Sequence, residues 1–390
     1  MNIILFDDSS RGQLLPLTFT RPVAAIRIGM LTILEKWQYY FPNATLSVAT
    51  EAYLQEKYPQ VQATQNIWIN ASVLPNADFV SAIQSLTFSE AIVDGDKTLV
   101  SFSEGMNSAL STKPCSFEYD YLDALPQIFS WNDKESRKDF TLLTAGKKSI
   151  TTSTTTTIIG DPSQLFLEEG AQIQASIINV STGPVYLAKD AEIMEGSMIR
   201  GPFYLGEHSQ TKMGTKIYGA TTIGPHSKVG GELNNVVVFG YTNKAHDGFL
   251  GNAVIGEWCN IGADSNNSNL KNNYAEVKLW NYQTNNFKRT GLQFCGLIMG
   301  DHAKCGINTM FNTGTVVGVG SNVFGSGFPR NFIADFSWGG AQGMEVFAIN
   351  KMFEVASKVY ERRGIEFNDT EKNILNTIFE QTKEYRKSYE

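Results

Sequence analysis

One of the four histidines lies in a segment where several polar side chains follow one another closely. The segment covers residues 241–256 and places His246 between Lys244 and Asp247. Imidazole titrates near neutral pH, so a histidine here can take a proton from an attacking amine or hydroxyl. An exposed loop histidine without a catalytic role is the alternative interpretation. The other histidines occupy turn positions of a regular repeat and are predicted to be structural: His208, His226 and His302.

A second group of chemically capable residues follows the first apolar run of the chain. Asp7, Asp8 and Arg11 come directly after it, and Arg21 lies in the nearby run Leu-Leu-Pro-Leu-Thr-Phe-Thr-Arg-Pro. Arginines neutralise nucleotide phosphates, and carboxylates can hold Mg²⁺ beside them. Surface arginines and turn-forming acidic residues are the alternative interpretation. The sequence does not identify a metal site.

A repeat of six residues is the element that positions the histidine segment. Every sixth residue from Leu187 onward forms what we call the apolar column, and seven of its eight residues are aliphatic: Leu187, Ile193, Ile199, Leu205, Thr211, Ile217, Ile223 and Val229. A second column, four residues on, is small at six of eight: Ala191, Ser197, Phe203, Ser209, Thr215, Thr221, Ser227 and Leu233. Neither the helical period of 3.6 nor the strand period of 2 fits this spacing. The repeat predicts a left-handed parallel β-helix of stacked short strands.

The repeat loses its register twice. The steps from Val229 to Ile255 and from Ile261 to Met299 each leave a remainder of two on division by six. These offsets predict insertions, and long loops on a rigid solenoid often carry function. His246 lies in the first interval. The second holds the amide-rich loop 266–274, whose side chains either bind sugar hydroxyls or simply form turns.

The flanking regions follow different patterns. At the N-terminus we predict strands at 3–6, 67–70 and 91–93 and a helix at 23–40, which together indicate a small α/β domain. Beyond the repeat, a helical stripe ends before Gly364, and Asn368 is a plausible cap for a second helix. The predicted domains are 1–155 (α/β), 156–330 (left-handed β-helix) and 331–390 (C-terminal helical appendage).

Composition narrows the classes of partner. A net charge of −7 argues against nucleic acid and against an anionic membrane surface, both of which need a dense basic face. No segment has the roughly 20 apolar residues of a spanning helix. The four cysteines lack the spacing of a zinc site or a disulfide framework. A soluble cytoplasmic protein is therefore expected, and anionic small molecules remain open as ligands through local basic residues.

The histidine segment resembles a known family, the bifunctional N-acetylglucosamine-1-phosphate uridyltransferase and glucosamine-1-phosphate N-acetyltransferase enzymes. The resemblance rests on Lys244-Ala245-x-x-x-x-Leu250-Gly251-x-Ala253-x-Ile255-Gly256 and on Asn260-Ile261-Gly262-Ala263. It is weaker at the N-terminus, where the loop 7–11 lacks the family's glycines and the domain is shorter. The chain therefore resembles a divergent branch of that family.

The resemblance implies roles for individual residues. His246 would be the general base that deprotonates the sugar amine for attack on an acetyl thioester. The residues implied to hold the sugar phosphate are Lys244, Phe249, Asn260, Asn269, Lys271 and Tyr218. Those implied to contact acetyl-CoA are Ala263, Gly306, Ile307 and Gly325, and those implied to contact nucleotide are Arg11 and Arg21.

The chain departs from the family at two sugar-phosphate positions. Tyr218 stands where the family has a phosphate-binding arginine, and Phe249 stands where it has a tyrosine. The phosphate would then be held by Lys228, Lys244 or Lys271.

Three functions remain open at this stage. The first is N-acetylation of an amino-sugar 1-phosphate with acetyl-CoA, followed by uridylyl transfer from UTP with Mg²⁺, which would supply UDP-N-acetylglucosamine for the cell wall. The second is acyl transfer alone, with the N-terminal domain as a nucleotide-sugar binding module. The third is a non-catalytic trimeric scaffold. The resemblance also implies a homotrimer with active sites between neighbouring solenoids.

Overall fold

The computed structural model describes residues 1–106 and 108–389. The chain divides into two compact units, Met1–Ile26 with Leu31–Ala124, and Arg27–Met30 with the chain from Leu125 onward. The domain boundaries expected after residues 155 and 330 stay predictions. Within the described residues, no helix is long and apolar enough to cross a membrane.

The first unit contains a six-stranded mixed sheet. Its strands are β1 (Asn2–Phe6), β2 (Thr45–Ala49), β3 (Asn66–Asn70), β4 (Glu90–Asp94), β5 (Lys97–Ser103) and β6 (Ser111–Pro114). Their spatial order is β2-β1-β3-β5-β4-β6. Strand β1 runs parallel to β2 and β3, so the carboxyl ends of these three strands meet at one edge. Two α-helices belong to this unit, α1 (Ile33–Tyr40) and α2 (Ala77–Ser85).

The predicted N-terminal strands are confirmed, but the predicted helix 23–40 is wrong over its first ten residues. That stretch holds a 3₁₀ turn (Val23–Ala25) and two short strands (Arg27–Ile28 and Leu31–Thr32). Gly29 explains the interruption, because its φ is +73° and an added Cβ would lie 2.5 Å from the Asp139 carboxylate. Helix α1 begins only after Thr32, which forms a capping box with Glu35.

The second unit is a left-handed parallel β-helix with three faces. The first-face strands are Leu165–Leu167, Val185–Leu187, Phe203–Leu205, Thr221–Ile223, Ile298–Met299, Val316–Val317 and Phe332–Ile333. The second-face strands are Gln172–Ile173, Glu192–Ile193, Gln210–Thr211, Lys228–Val229, Asn243–Lys244, Asn260–Ile261, Lys304–Cys305, Asn322–Val323, Ser337–Gly340 and Gly343–Val346. The third-face strands are Thr157–Ile159, Ile177–Asn179, Met198–Arg200, Lys216–Tyr218, Asn266–Asn267 and Met310–Phe311. Two longer strands, Glu232–Gly240 and Phe249–Glu257, run from the third face onto the first.

The interior of the β-helix is formed by the predicted columns. All eight residues of the apolar column are at most 2% exposed, Thr211 among them. The small residues bond between coils, since the Ser209 hydroxyl donates to the Gly224 carbonyl (2.8 Å) and accepts from the Ser227 amide (2.8 Å). The six-residue repeat is thus confirmed as the register of the solenoid.

The first predicted insertion is wrong. Between Val229 and Ile255 the coils continue, and the inward positions are Leu233, Val238, Lys244 and Leu250. The steps along this path are 4, 5, 6, 6 and 5 residues, so the offset of two arises from shortened corners. His246 therefore lies at a solenoid corner and not in an inserted loop.

The second predicted insertion is confirmed. Residues 268–297 leave the solenoid after the third face and carry a hairpin, Lys278–Asn281 with Asn286–Arg289. The coils resume at Ile298, whose strand pairs with residues 254–255 of the preceding coil.

Four helices accompany the solenoid in this unit. Helices α3 (Leu125–Ser130) and α4 (Asn132–Thr144) contact its strands, and the Asn132 side chain donates to the Ala220 carbonyl (2.9 Å). The two predicted C-terminal helices are confirmed as α5 (Ile349–Glu361) and α6 (Asp369–Gln381). Asn368 caps α6 as predicted, accepting a hydrogen bond from the Glu371 amide (3.0 Å).

One corner of the solenoid, between the first and second faces, carries a stack of rings. This aromatic corner consists of His208, His226, Tyr241, Trp258 and His302, all with positive φ. Successive ring centroids are 5.0, 4.8, 4.3 and 6.3 Å apart, and Tyr360 of α5 stacks on Trp258 at 3.9 Å. The three remaining histidines thus occupy equivalent turn positions, as predicted.

Candidate active site

The opposite edge of the second face carries His246. This corner, the His246 corner, consists in successive coils of residues 230–231, 245–248, 262–264 and 306–308. The coils join there by backbone hydrogen bonds, from the Asp264 amide to the Asp247 carbonyl (3.0 Å) and from the Asn308 amide to the Ala263 carbonyl (2.8 Å). The His246 side chain is exposed, so its imidazole is accessible from outside the coil.

The His246 corner is held from inside by a lysine. Lys244 occupies an interior column position and is 1% exposed. Its ammonium group donates to the carbonyls of His246 (2.6 Å) and Asp247 (3.2 Å). Burial lowers the pKa of Lys244 to about 8. The ammonium group therefore faces the backbone of the corner and not the solvent. Its two hydrogen bonds fix the carbonyls of His246 and Asp247.

A short segment of the third face brings two predicted sugar-binding residues together. A Cβ added to Gly251 would lie 2.5 Å from the Phe249 ring and 2.8 Å from the Asn269 amide nitrogen, so both side chains border this glycine. The Asn269 amide donates to the Asn252 side chain (2.8 Å). Phe249 follows His246 by three residues on the next face. The aromatic ring and the amide thus lie together on the third face, which the chain enters directly after the His246 corner.

Much of the amide-rich loop has a structural role. Asn267 is 2% exposed, and its side chain accepts from the Gly251 amide (2.8 Å) and donates to the Gly251 carbonyl (2.9 Å). Asn266 accepts from the Phe249 amide (2.7 Å). These amides therefore satisfy the backbone of the preceding coil.

The residues implied to contact acetyl-CoA line the His246 corner. Ala263 lies one coil beyond His246, and Gly306 and Ile307 lie one coil further. The Ile307 side chain is 70% exposed. Gly325 follows Phe324, whose Cβ lies 3.3 Å from a Cβ built on Gly306. These four residues thus form a line along the solenoid axis that begins next to His246.

Other predicted residues lie apart from this corner. Tyr218 is on the third face and donates to Glu232 (2.6 Å), in a shallow pocket with Arg200 and Lys216. Lys271 donates to the Glu276 carbonyl (3.0 Å) within the insertion. Asn260 and Lys228 line a different pocket, on the second face beneath α5.

The first unit contains a cleft where ligands of open α/β sheets usually bind, at the carboxyl ends of parallel strands. It has a volume of about 500 Å³ and is lined by the ends of β1 and β2, among them Asp7, Arg11, Thr50 and Glu51. Arg11 is 12% exposed and lies 3.5 Å from Asp7 and 3.6 Å from Glu51. Its guanidinium also donates to the Thr18 carbonyl (2.5 Å). Arg11 is thus held in place and partly neutralised by the protein.

Both predicted carboxylates of this cleft are bonded to protein donors. Asp7 accepts from the Val23 amide (2.9 Å) and the Thr50 hydroxyl (2.6 Å), and burial raises the pKa of Asp7 to about 6. Asp8 is also affected by burial, which raises its pKa, but hydrogen bonds outweigh this effect and the pKa is lowered. The donors are the side chains of Ser10, Tyr121 and Asn70, and the Ser10 amide.

The carboxylates of Asp7 and Asp8 are held by protein donors. All four of their oxygens accept hydrogen bonds, so a divalent metal here would share these oxygens with the protein. In the described part of the chain, no group of three or more histidine, cysteine or acidic side chains could hold a metal ion. Arg21 is 3% exposed, so the structure places it in the interior of the unit.

Sequence reasoning missed residues on both units. Thr50 and Glu51 follow β2. The sequence analysis did not predict this strand, because its polar residues obscure the apolar pattern of a strand. Recognising that strand would have predicted them at the cleft, because parallel strands end at a common edge. Lys304 and Arg363 line the pocket beneath α5. The paired arginines directly before Gly364 were the only signal for that pocket.

Comparison with protein families gives one match. Residues 3–148 match the model of a family described as sugar nucleotidyl transferase. The matched stretch covers the six-stranded sheet, and it supports a transferase connected with sugar nucleotides. No curated protein matches the chain.

Two solved structures are similar to the chain. One is UDP-N-acetylglucosamine acyltransferase from Campylobacter jejuni, with 12% identity over 60% of this chain and 83% of that chain and a TM-score of 0.35. The other is UDP-N-acetylglucosamine acyltransferase from Arabidopsis, with 14% identity over 60% of this chain and 89% of that chain and a TM-score of 0.22. TM-scores this low support no conclusion about activity.

Proposed function

We propose that the solenoid transfers an acetyl group from acetyl-CoA to the amine of an amino-sugar 1-phosphate, and that the N-terminal domain transfers uridylyl from UTP to the product. The observation that carries the first part is the His246 corner. It combines an exposed imidazole at a solenoid corner with Phe249 and Asn269 on the adjoining third face and with Ala263, Gly306 and Ile307 on the following coils of the same corner. An acceptor sugar and an acyl thioester bound on these two sides would meet at His246.

The acyl transfer assigns each group a task. The sugar amine attacks the thioester carbonyl while the imidazole of His246 takes one amine proton, which gives a tetrahedral intermediate. Backbone amides of the corner stabilise its oxyanion. Collapse of the intermediate breaks the carbon–sulfur bond, and the thiolate receives the proton from His246. Lys244 fixes the carbonyls of residues 246 and 247 and is a positioning residue.

The site as it stands in one chain is open on its outer side. His246 and Ile307 are both exposed, so a single solenoid leaves bound acetyl-CoA in contact with water. A neighbouring solenoid in a homotrimer would close the site, as the resemblance implies. Light scattering of the purified protein measures this oligomeric state directly.

For the N-terminal domain, the family match supports uridylyl transfer. In that reaction the sugar phosphate oxygen attacks the α-phosphorus of UTP and pyrophosphate leaves. The cleft at residues 7–11 would hold the nucleotide. A second candidate function is a nucleotide-sugar binding module without transfer. It is favoured by one observation, namely that the carboxylates of Asp7 and Asp8 and the guanidinium of Arg11 are already bonded within the protein.

The assay for acyl transfer follows CoA release from acetyl-CoA and glucosamine 1-phosphate. His246→Asn is expected to lower kcat/KM by about 10²- to 10⁴-fold, the usual contribution of a general base. The matched control is His208→Asn, because His208 is also an exposed histidine at a solenoid corner but lies on the aromatic corner. Equal rates in His246→Asn and wild type would disprove the assignment.

The assay for nucleotidyl transfer supplies N-acetylglucosamine 1-phosphate, UTP and Mg²⁺ and follows pyrophosphate. Release of both CoA and pyrophosphate supports the bifunctional enzyme. CoA release without pyrophosphate, together with saturable binding of UDP-N-acetylglucosamine, selects the binding module. If the protein forms intact trimers but releases neither CoA nor pyrophosphate, the non-catalytic trimeric scaffold is the function that remains.

A further inference from the structure

A pocket on the second face, separate from the His246 corner, has an unusual charge. It has a volume of about 230 Å³ and lies between solenoid strands and the C-terminal end of α5. We call it the basic pocket, and its cationic residues are Lys228, Lys304, Arg362 and Arg363. The protein as a whole carries a net charge of −7, so the four positive charges around this small pocket are opposite in sign to the net charge of the protein.

These cations have no acidic partners. In residues 1–106 and 108–389, no carboxylate comes within ion-pair distance, 4.0 Å, of the charged groups of the four side chains. The charges instead act on one another. Burial lowers the pKa of Lys228, and the positive charges of Lys212, Arg363 and Arg362 lower it further. Burial and the neighbouring Arg362 likewise lower the pKa of Arg363.

The helix end accounts for only part of this arrangement. Cations near the last turn of a helix are stabilised by its dipole, which suits Arg362 and Arg363. Lys228 and Lys304 lie on solenoid strands and gain nothing from that dipole. Lys304 has one protein acceptor, the His302 carbonyl (2.9 Å), for the three hydrogens of its ammonium group. Burial lowers the pKa of Lys304 to about 8.

Neutral donors complete the pocket. The side chains of Asn243 and Asn260 both line it and bond to each other (3.0 Å), with Asn260 accepting. The Asn260 amide nitrogen therefore remains a donor. Several cations with an amide donor suit a doubly charged anion with several acceptor oxygens. The volume suits a phosphate group with a small substituent and is smaller than the usual pockets of larger ligands.

We infer that the basic pocket binds a phosphate group, held by Lys228, Lys304, Arg362 and Arg363. The two rings that line the pocket are each stacked against two other rings, Tyr241 against His226 and Trp258, and Trp258 against Tyr241 and Tyr360, so they are not available to stack on a base. The shared chemistry is therefore a phosphate dianion, either free or as a small ester. This site does not depend on acyl transfer at His246, since the two sets of side chains are separate.

The test is calorimetric titration of the full-length protein with inorganic phosphate and, separately, with glucosamine 1-phosphate. The variant is Lys228→Gln with Arg363→Gln, and we expect it to weaken binding at least tenfold. The matched control is Lys351→Gln with Lys358→Gln, which removes two lysines of α5 that are exposed and paired with glutamates. The control and His246→Asn should bind phosphate as wild type does.

A second measurement separates loss of the site from loss of the fold. Without phosphate, Lys228→Gln with Arg363→Gln should unfold at the same temperature as wild type or higher, because like charges are removed. Tighter binding of the sugar phosphate that Lys228→Gln with Arg363→Gln abolishes would assign the pocket to an ester, whereas a sugar phosphate affinity that this variant does not change, with phosphate binding weakened, would assign it to free phosphate. No saturable binding by wild type, or wild-type affinity in the double variant, would overturn the inference.

Discussion

Lys244 gives the sharpest test of how the candidate site is built. Its ammonium is buried in the solenoid interior and bonded only to the carbonyls of His246 and Asp247 in the described structure. Replacing it with methionine, Lys244→Met, keeps the length of the side chain and removes the charge. Two effects oppose each other, since the charge-assisted hydrogen bonds are lost but a buried charge no longer has to be desolvated.

The pH dependence separates these effects. The pKa of Lys244 falls from 10.5 to about 8 on folding, because burial disfavours the charged form. Below pH 8 the lysine is charged in both states, and the folded state bears the full desolvation cost. As the pH rises above 8, the folded protein releases this proton before the unfolded chain does, so the lysine becomes less destabilising. Between pH 7 and 9 this gain amounts to about 1.3 kcal/mol.

The measurement is the free energy of unfolding in urea for wild type and Lys244→Met at pH 7, 8 and 9. Other groups titrate in both proteins, so the difference between them isolates Lys244. We expect wild type to gain about 1.3 kcal/mol relative to the variant over this range. Lys351→Met, at an exposed lysine of α5, is the control and should show no such change. A difference between wild type and Lys244→Met that stays constant with pH would refute the burial argument.

Further predictions concern other parts of the molecule. Gly248→Ala should lower the free energy of unfolding by about 3 kcal/mol in urea titrations, because Gly248 has φ +113° and an added Cβ would clash with the Ser265 carbonyl; an equally stable variant would contradict this. Asp7→Asn should remove a pH dependence of stability. The raised pKa of Asp7 makes wild type lose stability as the pH rises from about 4 to 6, by about 2 kcal/mol relative to the variant, and parallel urea titrations at pH 4 and 6 check it. Trp258→Leu should lower the melting temperature and speed proteolysis after residue 348, since it removes the stack on Tyr360 of α5 at 3.9 Å; unchanged digestion would argue against that anchor.

The solenoid was predictable because one signal recurs over many coils. Each inward position, from Leu187 to Val229, must be buried against the next coil, so the requirement repeats every six residues. The interval after Val229 was misread because arithmetic on the spacing cannot tell an added loop from shortened corners. The inward Lys244 made this harder, since a charged residue at a column position looks like a break in the pattern.

Other features depend on contacts between distant residues. The helix predicted at 23–40 fails at Gly29, where residues of α4 more than 100 positions away occupy the space of a side chain. The basic pocket joins Lys228 to Arg363, 135 positions apart, so the local arginine pair could not show which solenoid residues lie against it. The N-terminal cleft was partly predictable, because Asp7 and Arg11 follow an evident strand. The hydrogen bonds that the polar atoms of Asp7 and Arg11 already make within the protein could not be predicted from the sequence.

The stacking of the coils also bears on how the candidate site responds to partial unfolding. Each coil contacts mainly the coils before and after it, so a solenoid opens from its ends and its middle is lost last. The His246 corner is central, with coils before and after it, and α3 packs on the strands Glu232–Gly240 and Phe249–Glu257 that flank it in the chain. In native-state hydrogen exchange, amides of residues 236–238 and 253–255 should exchange only through global opening, while those near residues 157 and 340 exchange through fraying. The chain thus keeps the candidate active site in the last region to melt.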